Sequence, residues 1–196
     1  MVYHESFSLD SSLLSRQENV ALKGTATQSS TYDGLLASNA IDGGSVALDQ
    51  TAAAKRSSMS IAAPGLDGLW WKLELDQDYI ISQVIIFNRS DYNFAFGFRL
   101  RGFVLEVLDK DDQVVFTQTE NGTYADVDTP LSFVIDVNPI NTEGKKVRIE
   151  LPTGEYLQLQ EVMVFGVVPP AVVPGDNVGQ DCGGTYAMKK KETVVL

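Results

Sequence analysis

The chain has 196 residues, with 15 Lys and Arg against 26 Asp and Glu, a formal charge of −11, one His, one Cys and 44% apolar side chains. This length and apolar fraction suit one packed domain with arms and exclude wholesale disorder. The acidic balance argues against a nucleic-acid partner and general adhesion to anionic lipid, although one basic patch can survive on an acidic protein. Cys182 alone forms no intrachain disulfide or multi-cysteine zinc site, and His4 alone supplies no His-dependent triad or multi-His metal site.

No run of eighteen apolar residues is present to span a membrane. The opening MVYHESFSLDSSLLSRQE lacks a basic region followed by an apolar one, so it does not read as a signal peptide. Residues 1–18 read as a polar arm, residues 19–167 as one domain, and residues 168–196 as a Pro- and Gly-rich extended tail.

Gly24 to Leu69 is rich in Ser, Thr, Ala and Gly and reads as a long loop region, which in a compact domain is functional or stapled, a bound ion being one candidate staple. Beyond it, Trp71, Leu73 and Leu75 alternate with Lys72 and Glu74, predicting a half-buried strand. Ile80 to Phe87 is apolar on both phases and predicts a second strand, covered on both sides. Phe103–Val107, the polar turn Asp109–Asp112 and Val114–Phe116 predict a hairpin. Further strands are expected at Leu131–Val137, Val147–Leu151 and Leu157–Phe165. At least seven short strands without helical periodicity predict an all-β sandwich or jelly roll. In the last strand Leu157, Leu159, Glu161, Met163 and Phe165 share a phase, which puts the Glu161 carboxylate on an otherwise apolar face, in need of a cation or hydrogen-bond donors. Asn39-Ala40-Ile41-Asp42-Gly43-Gly44 offers a carboxylate, an amide and two flexible glycines, as a calcium loop requires.

The segments NVALKGTATQSSTY (Asn19 to Tyr32), ASNAIDGG (Ala37 to Gly44), LWWKLELDQDYIISQVIIFNRSD (Leu69 to Asp91), RLRGFVLEV (Arg99 to Val107) and LQLQEVMVFG (Leu157 to Gly166) occur in consecutive order. Together they resemble the F-type lectins, the fucose-binding branch of the discoidin-like, galactose-binding-domain superfamily. The resemblance implies an antiparallel eight-stranded jelly-roll β-sandwich, a structural calcium and a shallow sugar site on loops at one end. By resemblance Asn39 and Gly44 give carbonyl oxygens to the calcium, and Asp42 and Glu161 give side-chain oxygens. The alternative is that Asp42-Gly43 is only a turn and that Glu161 bonds to backbone amides or an Arg. The sugar site would use Arg89, Asp91 and Arg99. Here a guanidinium fork donates paired bonds to hydroxyls and a carboxylate holds the fork in place. A bare salt bridge at a strand end is the competing reading of Arg89 and Asp91. The family's His has no counterpart in Ser57 to Leu69, and Lys55 and Arg56, the nearest basic residues, lie upstream of its place. The resemblance therefore implies a sugar site that lacks one of the family's contacts to fucose.

YNFAFGF (Tyr92 to Phe98) is inserted before Arg99; extended, it would point Tyr92, Phe94, Phe96 and Phe98 one way. Such a loop can pack on its own barrel, stack on a sugar, contact protein, or enter lipid as in coagulation-factor C domains; the net charge disfavours the last. Of the sequons at Asn88 and Asn121, only Asn121 reads as an acceptor, because a glycan on Asn88 would obstruct the site.

Two functions follow. One is a non-catalytic carbohydrate-binding module for a glycan or glycoprotein. The other is a structural or assembly subunit that uses the jelly roll for protein contacts or a homo-oligomer. The tail and the Tyr92–Phe98 loop would make those contacts, with Lys189–Lys191 meeting an acidic surface. No nucleophile–base pair points to an enzyme. The resemblance favours an extracellular or particle-surface location.

Overall fold

The computed structural model describes residues 17–44, 52–65, 68–91, 95–122, 129–137 and 142–170. His4, Cys182, Tyr92, Phe94, the lysine run and the arm expected of the tail lie outside these residues, so the expectations placed on them are not addressed. The described residues form nine strands: β1 (Glu18–Asn19), β2 (Thr25–Gln28), β3 (Ser60–Ala62), β4 (Leu69–Asn88), β5 (Val104–Leu108), β6 (Val114–Thr119), β7 (Ser132–Asp136), β8 (Glu143–Leu151) and β9 (Leu157–Val167). One short helix, α1 (Ala52–Ser57), and 3-10 turns at Val20–Lys23, Ala37–Ile41 and Gly97–Leu100 complete the order. The pairings are antiparallel, as the all-β expectation requires.

The two strands expected at Trp71–Leu75 and Ile80–Phe87 are one continuous strand. Its register on β8 slips between Glu74 and Tyr79. Ahead of this slip β4 lies between β2 and β8; beyond it Tyr79 and Ile80 still pair with β8, and from Gln83 β4 lies between β7 and β9. One strand therefore serves both layers of the sandwich, because a bulge bends a strand without ending it. Trp71, Leu73 and Leu75 from its first half and Ile81, Val84 and Ile86 from its second enter the core against Leu105, Val107, Val147, Ile149, Val162 and Val164. The expected hairpin is β5–β6, its turn closed by Asp109 Oδ1, which accepts the Asp111 and Gln113 N–H groups at 2.9 Å each.

Gly24 to Leu69 is not one long loop. It contains β2, the turn at Ala37–Ile41, α1 and β3. Short elements went unseen because polar side chains, rather than an apolar period, hold them. Gln28 Nε2 donates to the Leu35 carbonyl at 2.9 Å, Ser30 exchanges hydrogen bonds with Ala63, and Asn39 Nδ2 donates to the Met59 carbonyl at 3.1 Å. The buried Trp71 indole fastens this region to the core by donating to the Ala37 carbonyl at 3.1 Å. Trp71→Phe removes that donor and strands a buried carbonyl, at an expected cost of about 1–3 kcal/mol, read as a lower urea midpoint with an unchanged slope.

Candidate functional site

The site forms where β4 ends. Asn88 is buried there, and its Nδ2 donates to the Gly97 and Pro130 carbonyls at 3.0 and 3.1 Å while its Oδ1 accepts the Arg89 N–H at 2.8 Å. One amide thus ties the strand end to the Gly97–Leu100 turn and to the entry into β7. A Cβ on Gly97 would lie 3.2 Å from Asn88 Nδ2, so close approach of the turn explains the glycine. The Asn88 sequon is accordingly closed, and Asn121 is exposed.

Arg89 and Asp91, two residues apart beyond the strand, form a two-pronged ion pair. Arg89 Nη2 donates to Asp91 Oδ2 at 2.8 Å and Nε donates to Oδ1, with side-chain exposures of 4% and 0%. A charge pair this deeply buried is sustained by the match of fork and carboxylate. The Arg89 guanidinium carbon lies 4.5 Å from the Phe96 ring centroid, and that of Arg99 lies 4.8 Å from the same ring and 4.9 Å from Tyr156. Tyr156 in turn meets Tyr32 edge-to-face at 5.2 Å. These groups wall a cavity of about 570 Å³ with Arg56, Ile61, Ala95 and Gln158. Gln158 Oε1 and Arg99 Nε are buried there without hydrogen-bond partners. Among the described residues no side chain lining the cavity is a carboxylate, His, Cys or Ser, so these residues equip it to hold polar groups against aromatic faces.

A second cluster lies under the Ala37–Ile41 turn. β9 carries an extra residue where Glu161 pairs with Phe87 but Leu159 pairs with Asn88. This bulge reverses the alternation, so that Leu157 and Leu159 are core residues before it and Val162 and Val164 after it. The expectation that Leu157, Leu159, Glu161, Met163 and Phe165 share one apolar face therefore fails, because one inserted residue shifts the phase. Glu161 remains 1% exposed, and both carboxylate oxygens lack a hydrogen-bond partner. Its pKa is pushed up to about 8, first by burial and then by the Asp42 charge, while the Gly43 N–H opposes the shift without making a hydrogen bond. Asp42 Oδ1 accepts the Gly44 N–H at 2.6 Å. A Cβ on Gly44 would collide with that carboxylate, and Gly43 sits at φ +70°. Among the described residues no three His, Cys, Asp or Glu side chains gather. An oxygen-seeking cation here would draw on carbonyls as well, which suits calcium. Asn39 Nδ2 donates to the Ser57 and Met59 carbonyls at 3.3 and 3.1 Å, which fixes its amide against the chain from α1 into β3.

No family model matches the chain. Fucolectin-6 of Anguilla japonica is 32% identical over 158 residues, covering 78% of this chain and 78% of that protein. The chain belongs to the F-type lectin family. Fucolectin of Anguilla anguilla is 30% identical over 161 residues, covering 76% and 90%. Among solved structures, a fucose binding module of Streptococcus pneumoniae superposes with a TM-score of 0.62 at 30% identity, covering 75% and 96%. The lectin domain of lectinolysin complexed with Lewis b antigen gives a TM-score of 0.64 at 27% identity, covering 77% and 98%.

In this F-type lectin the structure brings Arg89 and Arg99 into one cavity, with Asp91 buried behind Arg89, and brings Glu161 close to Asp42. Arg56, upstream of the place of the family's His, is carried by α1 to the cavity wall, where it pairs with Asp33 at 2.9 Å. Within Tyr92–Phe98 the extended form does not hold from Gly97 onward, where the chain forms a 3-10 turn. Phe96 then lies against the two arginines rather than projecting as a loop tip. Tyr32, Tyr156 and Gln158 carry no signal in the sequence; they meet because Ile61 of β3 pairs with Gln158 of β9 and accepts the Tyr32 N–H at 3.0 Å, and Tyr32 packs on Tyr156.

A raised carboxylate pKa has a definite consequence for stability. Between about 4.5 and 8 the folded state holds a proton on Glu161 that the unfolded chain has released. The melting temperature of chelator-treated protein should therefore fall as pH rises through that window, and Glu161→Gln should flatten the fall. A melting temperature that climbs across the window in wild type contradicts this.

Proposed function

We propose that the chain is a non-catalytic carbohydrate-binding module whose saccharide site is built on Arg89, Asp91 and Arg99. The observation that carries this is the buried Arg89–Asp91 fork opening onto the same cavity as Arg99. Asp91 engages one side of Arg89 and fixes its plane, so the guanidinium faces the cavity without a large entropy cost on binding. Arg99, stacked between Phe96 and Tyr156, offers further donors to sugar hydroxyls. The aromatic rings supply faces for the C–H side of a pyranose. The relatives' names and ligands, a fucose binding module and a Lewis b complex, support the same class. Fucose itself is not assigned, because the family's His has no counterpart and Arg56 stands at the wall instead.

The same reading gives the domain a structural calcium. Asn39 and Gly44 would hold it through carbonyls, and Asp42 and Glu161 through carboxylates. Two partnerless buried oxygens on Glu161 are the support. The ion would supply only charge compensation and cross-linking of β9 to the Ala37–Ile41 turn. At a hundredfold excess over its dissociation constant, a folded-state ligand adds ~2.7 kcal/mol. Calcium should raise the melting temperature of chelated protein by several degrees, and Glu161→Gln should abolish the rise. An identical melt with and without calcium would sink the ion.

The assembly reading rests on the tail and on Tyr92 and Phe94, which lie outside the described residues; Phe96 of that insertion faces the cavity.

For the sugar site, Arg89→Lys should weaken saccharide binding by more than about tenfold in calorimetry, because an ammonium cannot make the two-pronged contact. Wild-type affinity in a folded Arg89→Lys protein would count against the assignment.

A further inference from the structure

We propose, on the basis of the saccharide-binding reading above, that this cavity selects saccharides bearing an anionic substituent, a carboxylate or a sulfate ester. Arg56 and Arg99 would receive that group.

The first reason is donor balance. Arg56, Arg89 and Arg99 all line the cavity, and no carboxylate among the described residues lines it with them. Guanidinium groups only donate. A neutral sugar hydroxyl both donates and accepts, so it suits a wall of mixed character. Among the described lining residues the side-chain acceptors are few: the partnerless Gln158 Oε1 and two tyrosine hydroxyls. Three donor-only cations match a ligand group that only accepts.

The second reason is how each arginine is compensated. Arg89 is matched by buried Asp91, so its charge is balanced whether or not a ligand is bound. Arg56 is paired with Asp33, whose side chain is 64% exposed, and Arg99 only reaches Glu155 at 3.4 Å, with Glu155 77% exposed. Exposed pairs of this kind contribute about 0–1 kcal/mol, so a ligand anion can displace them cheaply. Arg99 also buries a donor, Nε, that has no hydrogen-bond partner.

The −11 body does not oppose this at close range. Its charges are screened beyond about 8 Å at physiological ionic strength, whereas a ligand anion between two guanidiniums would lie within contact distance of both. The acidic body slows encounter, and the local cations set the affinity.

The test is a glycan array printed with matched triplets of one oligosaccharide: neutral, sulfated and carboxylated. The full chain is probed in calcium, and the best triplet is followed by calorimetry. The sulfated or carboxylated member should bind at least about tenfold more tightly than its neutral parent, a gap that shrinks as salt is raised. The two acidic arms tell sulfate from carboxylate. Arg56→Gln should bring the ratio toward one, and Asp33→Asn, which removes the carboxylate that competes with a ligand anion for Arg56, should widen it. Neutral members bound as well as acidic ones would overturn the anionic preference while leaving the saccharide reading intact. So would a ratio unmoved by both variants. Silence on every triplet would overturn both readings. Inorganic sulfate bound as tightly as the sulfated sugar would show an anion site with no saccharide recognition, which also overturns the proposal.

Discussion

The buried Arg89–Asp91 pair is the constraint around which this end of the sandwich is arranged. Two charges at 4% and 0% exposure are costly to desolvate, and the cost is offset only if the fork and the carboxylate stay aligned. Alignment depends on the chain leaving β4 at a fixed angle. Asn88 sets that angle by bonding forward to the Arg89 N–H and across to Gly97 and Pro130. The Gly97–Leu100 turn then places Phe96 against Arg89 and presents Arg99 to the same space. Removing either partner alone would leave an uncompensated buried charge and would also free the segment that positions Arg99.

Glu161 poses the opposite electrostatic problem. Arg89 has its counter-charge built in, whereas Glu161 has a second carboxylate, Asp42, as its charged neighbour. Such a group either keeps a proton or takes a cation. The bulge on β9 brings this about, since it lets Val162 and Val164 rejoin the core while Glu161 stays under the Ala37–Ile41 turn. The paired charge is thus associated with the cavity and the unpaired one with the scaffold. This division separates ligand recognition from stability.

Much of the fold was legible because alternation is a direct record of which face is buried. Trp71, Leu73, Leu75, Val147, Ile149 and Leu151 behave as their spacing demands. Two features escaped for one reason, that a bulge inserts a residue without a side-chain signature. The slip between Glu74 and Tyr79 hid the continuity of β4, and the extra residue before Glu161 hid the phase change in β9. In the site, Arg89 and Asp91 were legible as a local motif. Arg56 was not, since its approach depends on α1 packing near β9, where Gln160 Nε2 donates to the Lys55 carbonyl at 3.1 Å and to Ser58 Oγ at 2.7 Å.

The central claim, that the Arg89 fork and Arg99 jointly hold a saccharide, is tested most directly at the guanidinium groups themselves. Nitrogen-15 NMR of the arginine side chains resolves each Nε–H as saccharide is titrated in. The account predicts large, saturable shifts for Arg89 and Arg99 at one common affinity, with the remote Arg148 Nε–H, bonded to Glu106, unmoved. Saturable binding that leaves the Arg89 and Arg99 signals in place would contradict it.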